Sequence, residues 1–316
     1  ISANAAEMSV SGASVLTYTS ADKTETTGNQ WGMKTNLGFT ASGEVNGYTV
    51  SYMQTSKDQF AGMSSARLTI DMGDMGTLAF DQGSGSGLGT IDDKTPTAAE
   101  EVWDGIDAVT GTADGLVGGG NSGVIVYANS FAGYNFTSQV SKGNSANNSD
   151  DTTSGGTGGG SWDFALTTDS LMDGLSVGAG YGKIANGAQS DVNGGDDTDE
   201  HMVAFVNYTI GMVTLGYSEA NIARNNEGGT TESASAFGIA ANLSDNLSIS
   251  YGEREVEYAK ASAGHIIQDN RGIAVAYTMG SAKVTVQQNE ADNNGGTTGT
   301  NDEQTQIALS LSQIGR

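Results

Sequence analysis

Carboxylates are concentrated in one long connection, residues 83–121, and no other side chains in this sequence are better placed to do chemistry. The connection has a single base, Lys94, and holds the only proline, Pro96. Connections of this length are uncommon in compact domains and are usually functional or disordered. At the narrow point of an aqueous passage such acids would select cations, whereas in an ordinary solvated loop they would be expendable. The acids are Asp92, Asp93, Glu100, Glu101, Asp104, Asp107 and Asp114.

A second set consists of four basic residues, Lys34, Arg67, Arg254 and Lys283, on the polar parity of segments that alternate as strands do. If these strands cross a membrane, a charge on the lipid-facing side costs roughly 2–4 kcal/mol at the bilayer midplane. We therefore expect all four side chains to point into the interior and to form a basic wall. The alternative is that they only balance nearby interior acids such as Asp71.

Candidate metal ligands are fewer. Asp191, Asp196 and Asp197 offer the carboxylate oxygens that Ca²⁺ prefers, but their loop does not match the glycine and glutamate positions of an EF-hand. His201 and His265 are too isolated for a histidine-rich metal site or a catalytic triad. Cysteine is absent, which excludes thiol catalysis and cysteine-ligated metals. We expect no enzyme and no cofactor, with a structural Ca²⁺ ion in this acidic loop as the one candidate to test.

The elements that must position these residues are strands. Apolar and polar residues alternate with a period of two over most of the chain, which is typical of strands with two different faces. About sixteen such segments follow one another; the first, fourteenth and last are Glu7–Thr19, Gly272–Thr278 and Asp302–Leu311. The connections alternate between short and long. In a closed antiparallel sheet successive connections lie at opposite rims, so this pattern predicts a transmembrane barrel with short turns on one rim and long loops on the other.

Composition agrees with a hollow barrel. Hydrophobic residues make up only 36% of the 316 residues and no composition break divides the chain, so we predict a single domain over residues 7–316. Residues 1–6 (ISANAA) look like the tail of a signal peptide, with a small-x-small pattern at 3–5. No run of 18 apolar residues indicates a transmembrane helix. The net charge of −24 disfavours nucleic-acid binding and favours cations.

Three stretches carry a family resemblance: residues 7–12 (EMSVSG), 76–80 (GTLAF) and 126–134 (VYANSFAGY). With them the chain resembles the general diffusion porins of Gram-negative outer membranes, of the alphaproteobacterial type. The resemblance implies a 16-stranded antiparallel transmembrane β-barrel, usually a homotrimer, whose third loop folds inward so that its acids face basic residues on the opposite wall. It also implies outer-membrane lipid and lipopolysaccharide as surroundings. Members usually end in an aromatic residue, and this sequence ends in SQIGR.

Two functions remain open at this point. The first is an outer-membrane channel for passive diffusion of small hydrophilic solutes and ions, with a mild preference for cations. The second is a secreted structural or adhesive β protein of the cell surface, such as a Ca²⁺-binding solenoid. Against the second, no repeat of fixed period is present.

Overall fold

The fold is a closed barrel of sixteen antiparallel strands. The computed structural model describes residues 7–21, 28–58, 62–83, 87–106, 122–141, 160–185, 198–224, 230–258 and 266–314; the expected signal-peptide tail, residues 1–6, lies outside them. The strands are β1 (Glu7–Ala21), β2 (Trp31–Val45), β3 (Tyr48–Ser56), β4 (Met63–Asp71), β5 (Thr77–Gln82), β6 (Ser122–Phe131), β7 (Tyr134–Ser141), β8 (Ser161–Thr168), β9 (Leu175–Ala185), β10 (Thr198–Ile210), β11 (Val213–Arg224), β12 (Thr230–Asn242), β13 (Leu247–Tyr258), β14 (Ile266–Met279), β15 (Ala282–Asp292) and β16 (Asp302–Ile314).

Each strand pairs with its neighbours in sequence, and β1 closes the cylinder by pairing with β16. Closure leaves no sheet edge, and an unpaired backbone N–H or C=O in lipid costs several kcal/mol. The predicted sixteen-stranded antiparallel barrel is therefore confirmed, and a solenoid is not what the chain forms. In the described part of the chain, no helix is long and apolar enough to span a bilayer.

The two parities of the strands face different surroundings, as the alternation predicts. In the β1–β2 ladder, Leu16 lies opposite Met33 and Tyr18 opposite Trp31, and the Tyr18 and Trp31 rings meet edge to face at 5.1 Å. Leu16, Met33 and Trp31 are exposed on the outside of the barrel. The intervening positions, such as Ser9 and Thr40, carry polar groups toward the interior.

Connection lengths sort between the two rims with two exceptions. One rim has the connections 46–47, 72–76, 132–133, 169–174, 211–212, 243–246 and 280–281, and the other has 22–30, 57–62, 83–121, 142–160, 186–197, 225–229, 259–265 and 293–301. The 57–62 and 225–229 connections are no longer than the longest turn, 169–174. At 46–47, Asn46 (φ 53°) and Gly47 (φ 85°) supply the positive dihedrals of a two-residue hairpin.

The outer surface has two unlike halves. Strands β3–β8 have 6 to 10 residues, whereas β9–β16 have 11 to 14 and β1 and β2 have 15 each. On the described strand residues of β1–β8, the register puts no charged side chain on the outward parity. On β9–β16 the outward parity near the loop rim carries Lys183, Glu200, Glu219, Glu253, Glu255, Glu257, Asp269, Arg271, Glu290, Asp292 and Glu303.

Candidate functional site

Residues 87–106 of the connection between β5 and β6 lie inside the barrel against its inner wall, and we call them the internal loop. It begins against β8, where the backbone N–H of Leu88 donates to Asp163 Oδ1 at 3.0 Å. Leu88 and Ile91 are buried in a small apolar cluster with Val203 and Phe205 on the inner wall. Full burial of an aliphatic side chain contributes about 1.5–3 kcal/mol. The start of the loop is therefore fixed to the wall mainly by apolar packing.

The middle of the loop crosses β10 to β14. Asn207 Nδ2 donates to the Lys94 carbonyl at 2.6 Å, and the Ala98 N–H donates to Ser250 Oγ at 2.9 Å. Ala98 also packs in a cluster with the inward-facing Ala276. The loop thus runs along the wall at this level and does not pass across the centre of the barrel.

The far end of the loop is held by amide side chains of β15 and β16. Gln287 Nε2 donates to the Glu101 carbonyl at 2.8 Å, and Asn289 Nδ2 donates to the Asp104 carbonyl at 2.8 Å. Gln304 on β16 donates to the Gly105 carbonyl at 3.0 Å. These wall residues bind loop backbone, not loop side chains. The described loop therefore covers the inner wall from β8 to β16.

Arg254, one of the four predicted wall bases, lies behind the loop. Its side chain is on the inward parity of β13, as expected, but Arg254 is only 3% exposed and its guanidinium carbon lies 4.4 Å from the ring centre of Trp103. Cation–π contacts of this kind contribute about 0.5–2 kcal/mol, more when desolvated. The structure thus places Arg254 between loop and wall instead of on the open wall where the sequence suggested it.

The predicted acids on the described part of the loop remain partly or fully accessible. Asp93, Glu100 and Asp104 are exposed, while Asp92 and Glu101 are half-buried. Partial burial raises the pKa of Glu101, and the neighbouring carboxylates of Asp93, Glu100 and Asp104 raise it further. Burial also raises the pKa of Asp104. The shifts mean that the loop carries carboxylates that lose their charge sooner than isolated ones as pH falls.

The inner wall that this part of the loop leaves uncovered belongs to β1–β6. Arg67 on β4 forms an ion pair with its cross-strand neighbour Asp81 at 3.1 Å, and Asp81 is fully buried. The register gives Lys34 and Lys283 the same inward parity, with Lys34 exposed and Lys283 half-buried. A cavity of about 810 Å³ connects Arg67 to Lys94 on the loop. Arg67 of the wall and Lys94 of the loop therefore line one accessible space.

Several predicted residues fall outside the described segments. Asp107 and Asp114 lie in 107–121, and the candidate Ca²⁺ ligands Asp191, Asp196 and Asp197 lie in 186–197. Within the segments that are described, no group of three or more His, Asp or Glu side chains is arranged to hold a metal ion. The calcium site therefore remains a prediction.

A closed cylinder of sixteen strands with an internal loop after the fifth strand defines the porin class of barrel. Among solved structures, the chain is similar to the trimer form of OmpT from Vibrio cholerae (15% identity, TM-score 0.71, covering 98% of this chain and 100% of that one). It is also similar to the anion-selective porin from Comamonas acidovorans (12% identity, TM-score 0.67, 98% and 100%) and to Salmonella typhi OmpF in complex with daunomycin (14%, 0.67, 97% and 97%). No family model and no curated protein sequence matches.

Sequence reasoning missed the residues that hold the loop. Gln287 and Asn289 on the inner face of β15, Asn207 on β10 and Ser250 on β13 have the same polar character as any residue that lines an aqueous interior. The one signal was the pair Leu88 and Ile91, two apolar residues near the start of a connection rich in glycine and acids. With these anchors the described interior combines a fixed aperture with fixed charges.

Proposed function

We propose that this protein is an outer-membrane porin through which small hydrophilic solutes and ions diffuse passively. The observation that carries the proposal is the loop from β5 to β6, which is seated against the inner wall from β8 to β16 and leaves open water against the opposite wall. A barrel of eight strands is filled by its own side chains, but one of about sixteen leaves an aqueous channel. Permeation would then be limited by the gap between loop and wall.

The charges along this gap support a preference for cations. The described loop residues include five acids and one base, Lys94. Two of the four wall bases add little positive charge to the gap, because Arg67 is paired with Asp81 and Arg254 lies behind the loop. Fixed charges in a constricted aqueous site raise the local concentration of counter-ions. The similar Comamonas porin is anion-selective, so the barrel alone does not determine the sign and the local charges must.

The direct test is the reversal potential of single channels in planar bilayers with a KCl gradient. Asp93→Asn combined with Glu100→Gln removes two exposed charges from the loop and should shift the reversal potential toward the anion side. A matched control, Glu255→Gln with Asp269→Asn, removes two charges from the outer surface of β13 and β14 and should leave it unchanged.

Each outcome has a defined meaning for the proposal. Absence of conductance in the unmodified protein would reject the channel itself. Firm anion preference in the unmodified protein, or equal shifts in both variants, would reject the selectivity argument and leave the channel intact.

We further infer a homotrimer whose contacts are made by the short strands β3–β8. Strands β3–β8 are short, and the outward parity of β1–β8 is free of charge over its described strand residues. Exposed apolar side chains there include Leu68, Phe80, Trp162 and Phe164. A wall covered by a neighbouring subunit need not reach as far as one that stands against lipid and headgroups. Strands β9–β16, which are longer and carry charges on their outward face, would then point away from the trimer axis.

A further inference from the structure

Four strands in succession carry an inward-facing glycine at the same level of the ladder. Gly216 on β11 lies opposite Gly238 on β12, Gly238 lies opposite Gly252 on β13, and Gly252 lies opposite Gly272 on β14. None of the four has a positive φ, so backbone conformation does not demand glycine. Glycine within a strand is destabilising, because it adds chain entropy and packs no side chain. The reason for these glycines must lie in what rests on them.

The internal loop rests on three of these positions. A methyl group at Gly216 would lie 2.1 Å from Oδ1 of the wall residue Asn207 and 2.2 Å from Cδ of Pro96, and one at Gly238 would lie 2.7 Å from the Pro96 carbonyl oxygen. Asn207 itself donates to the Lys94 carbonyl of the loop. At Gly252 a methyl would lie 2.8 Å from Cγ1 of Val102, whereas at Gly272 it would meet only wall atoms, the nearest being Asn289 Oδ1. We call Gly216, Gly238 and Gly252 the glycine track.

We propose that the glycine track determines how wide the channel is, by letting the loop lie directly on the wall. Ordinary contact begins at 3.4 Å, so a methyl at Gly238 would displace Pro96 by about 0.7 Å and one at Gly216 by about 1.2 Å. Each such displacement takes the loop into the aqueous gap. The inference rests on the proposed channel function and adds residues that specify its solute size limit.

The loop, and not the wall, would give way. The track lies on β11, β12 and β13, each hydrogen-bonded to a strand on both sides throughout the region. The loop near Pro96 is held by fewer bonds, from Asn207 to the Lys94 carbonyl and from Ala98 to Ser250. A single hydrogen bond contributes only about 0.5–1.5 kcal/mol net. Moving the loop is therefore the less costly response to an added methyl.

The experiment compares Gly216→Ala and Gly238→Ala with Gly38→Ala as a control. Gly38 is an inward-facing glycine of β2 whose added methyl would meet only Ser11 Oγ and Thr55 Cγ2. Single-channel conductance and the permeation of sugars of increasing size are measured in planar bilayers and liposomes. We expect the control to match the unmodified channel, Gly238→Ala to conduct less with a lower size limit, and Gly216→Ala to show the larger loss.

A second substitution makes the test specific to the contact. The methyl of Gly216→Ala would clash with ring atoms of Pro96 that alanine lacks and with Asn207 Oδ1, whereas the closest clash of Gly238→Ala is with the Pro96 carbonyl oxygen, which alanine keeps. Adding Pro96→Ala removes the ring contact and leaves the Asn207 contact. It should therefore restore part of the conductance lost in Gly216→Ala and less of that lost in Gly238→Ala. General damage to the barrel would not distinguish the two.

The outcomes separate the two proposals. If the unmodified protein conducts and both track variants conduct as it does, the track inference is wrong while the channel stands. Equal rescue of both variants by Pro96→Ala also overturns it, and a protein that never conducts overturns the channel. Folding is checked by heat-modifiable migration on gels. Should either variant not fold, Gly252→Ala, whose methyl meets the rotatable Val102 side chain, carries the same expectation of a smaller size limit.

Discussion

Replacing the amide side chains that hold the far end of the internal loop should release it without opening the barrel. Gln287 and Asn289 lie two residues apart on the inner face of β15 and together make five hydrogen bonds to the loop backbone at Glu100, Glu101 and Asp104. Gln287→Met with Asn289→Leu keeps the volume and removes every one of these bonds. The β14–β15–β16 backbone ladder does not depend on them.

The expected size of the effect follows from the bonds. At a net 0.5–1.5 kcal/mol each, five independent bonds would contribute about 2.5–7.5 kcal/mol. The Glu101 carbonyl accepts from both amides and Gln287 Nε2 donates to two carbonyls, so we count about three, or about 1.5–4.5 kcal/mol. Since 1.4 kcal/mol is a factor of ten, local opening of this part of the loop should become roughly ten to a thousand times more frequent.

Hydrogen exchange measures this opening. The amides of Asp104 and Ile106 donate to the carbonyls of Glu101 and Trp103 within the loop, so they exchange only when the loop opens locally. Their exchange should accelerate by the factor above, and open-channel current noise should rise. Gln288→Met is the control, because Gln288 lies on the same strand with its side chain outward. Exchange as slow in the double variant as in this control would refute the reasoning and assign the holding of the loop to its apolar start.

Two further predictions concern charge and assembly. Burial and neighbouring carboxylates raise the pKa of Glu101, and burial raises that of Asp104. As pH falls, cation preference should therefore begin to decrease above the ordinary carboxylate range near 4.3. The variant Glu101→Gln with Asp104→Asn should lower the pH at which this decrease begins, and a reversal potential that titrates as in the unmodified protein would contradict the prediction. Raised pKa values also mean that protonation stabilises the seated loop, so the Asp104 and Ile106 amides should exchange more slowly in acid relative to unprotected amides at the same pH. Phe80→Ala should weaken the trimer by about 1.5–3 kcal/mol per interface, and native mass spectra should then show dissociation at a lower temperature. Ile273→Ala, on the outward face of β14, should leave the dissociation temperature unchanged.

The barrel could be predicted from the sequence because lipid and water impose a two-residue period that is visible in each strand by itself. The prediction of strand length was less complete for β9–β16. The alternation indicated a fourteenth strand from Gly272, but β14 begins at Ile266. Asp269 and Arg271 occupy the outward parity there, and Arg271 is paired with Glu290 and Asp292. A strand that continues beyond the apolar band no longer shows an apolar face, so periodicity cannot detect it.

The site was predicted in outline only. Parity correctly placed Arg254 on the inward face, but it could not show that the internal loop covers that position. Whether an inward residue faces open water or the underside of a loop depends on a contact between distant parts of the chain. For the same reason Gln287 and Asn289 could not be told from other interior polar residues, nor Gly238 from any other glycine within a strand.

The amide side chains on the inner wall bind only main-chain groups of the internal loop, which are carbonyl oxygens and the Glu100 N–H. Any amino acid other than proline has these groups, so the side chains at 100, 101 and 104 are not needed to keep the segment in place. Pore width and ion selectivity therefore depend on different groups, the first on main-chain contacts and the second on loop side chains. Engineering or evolution could change the charges of the loop repeatedly without changing the width of the opening.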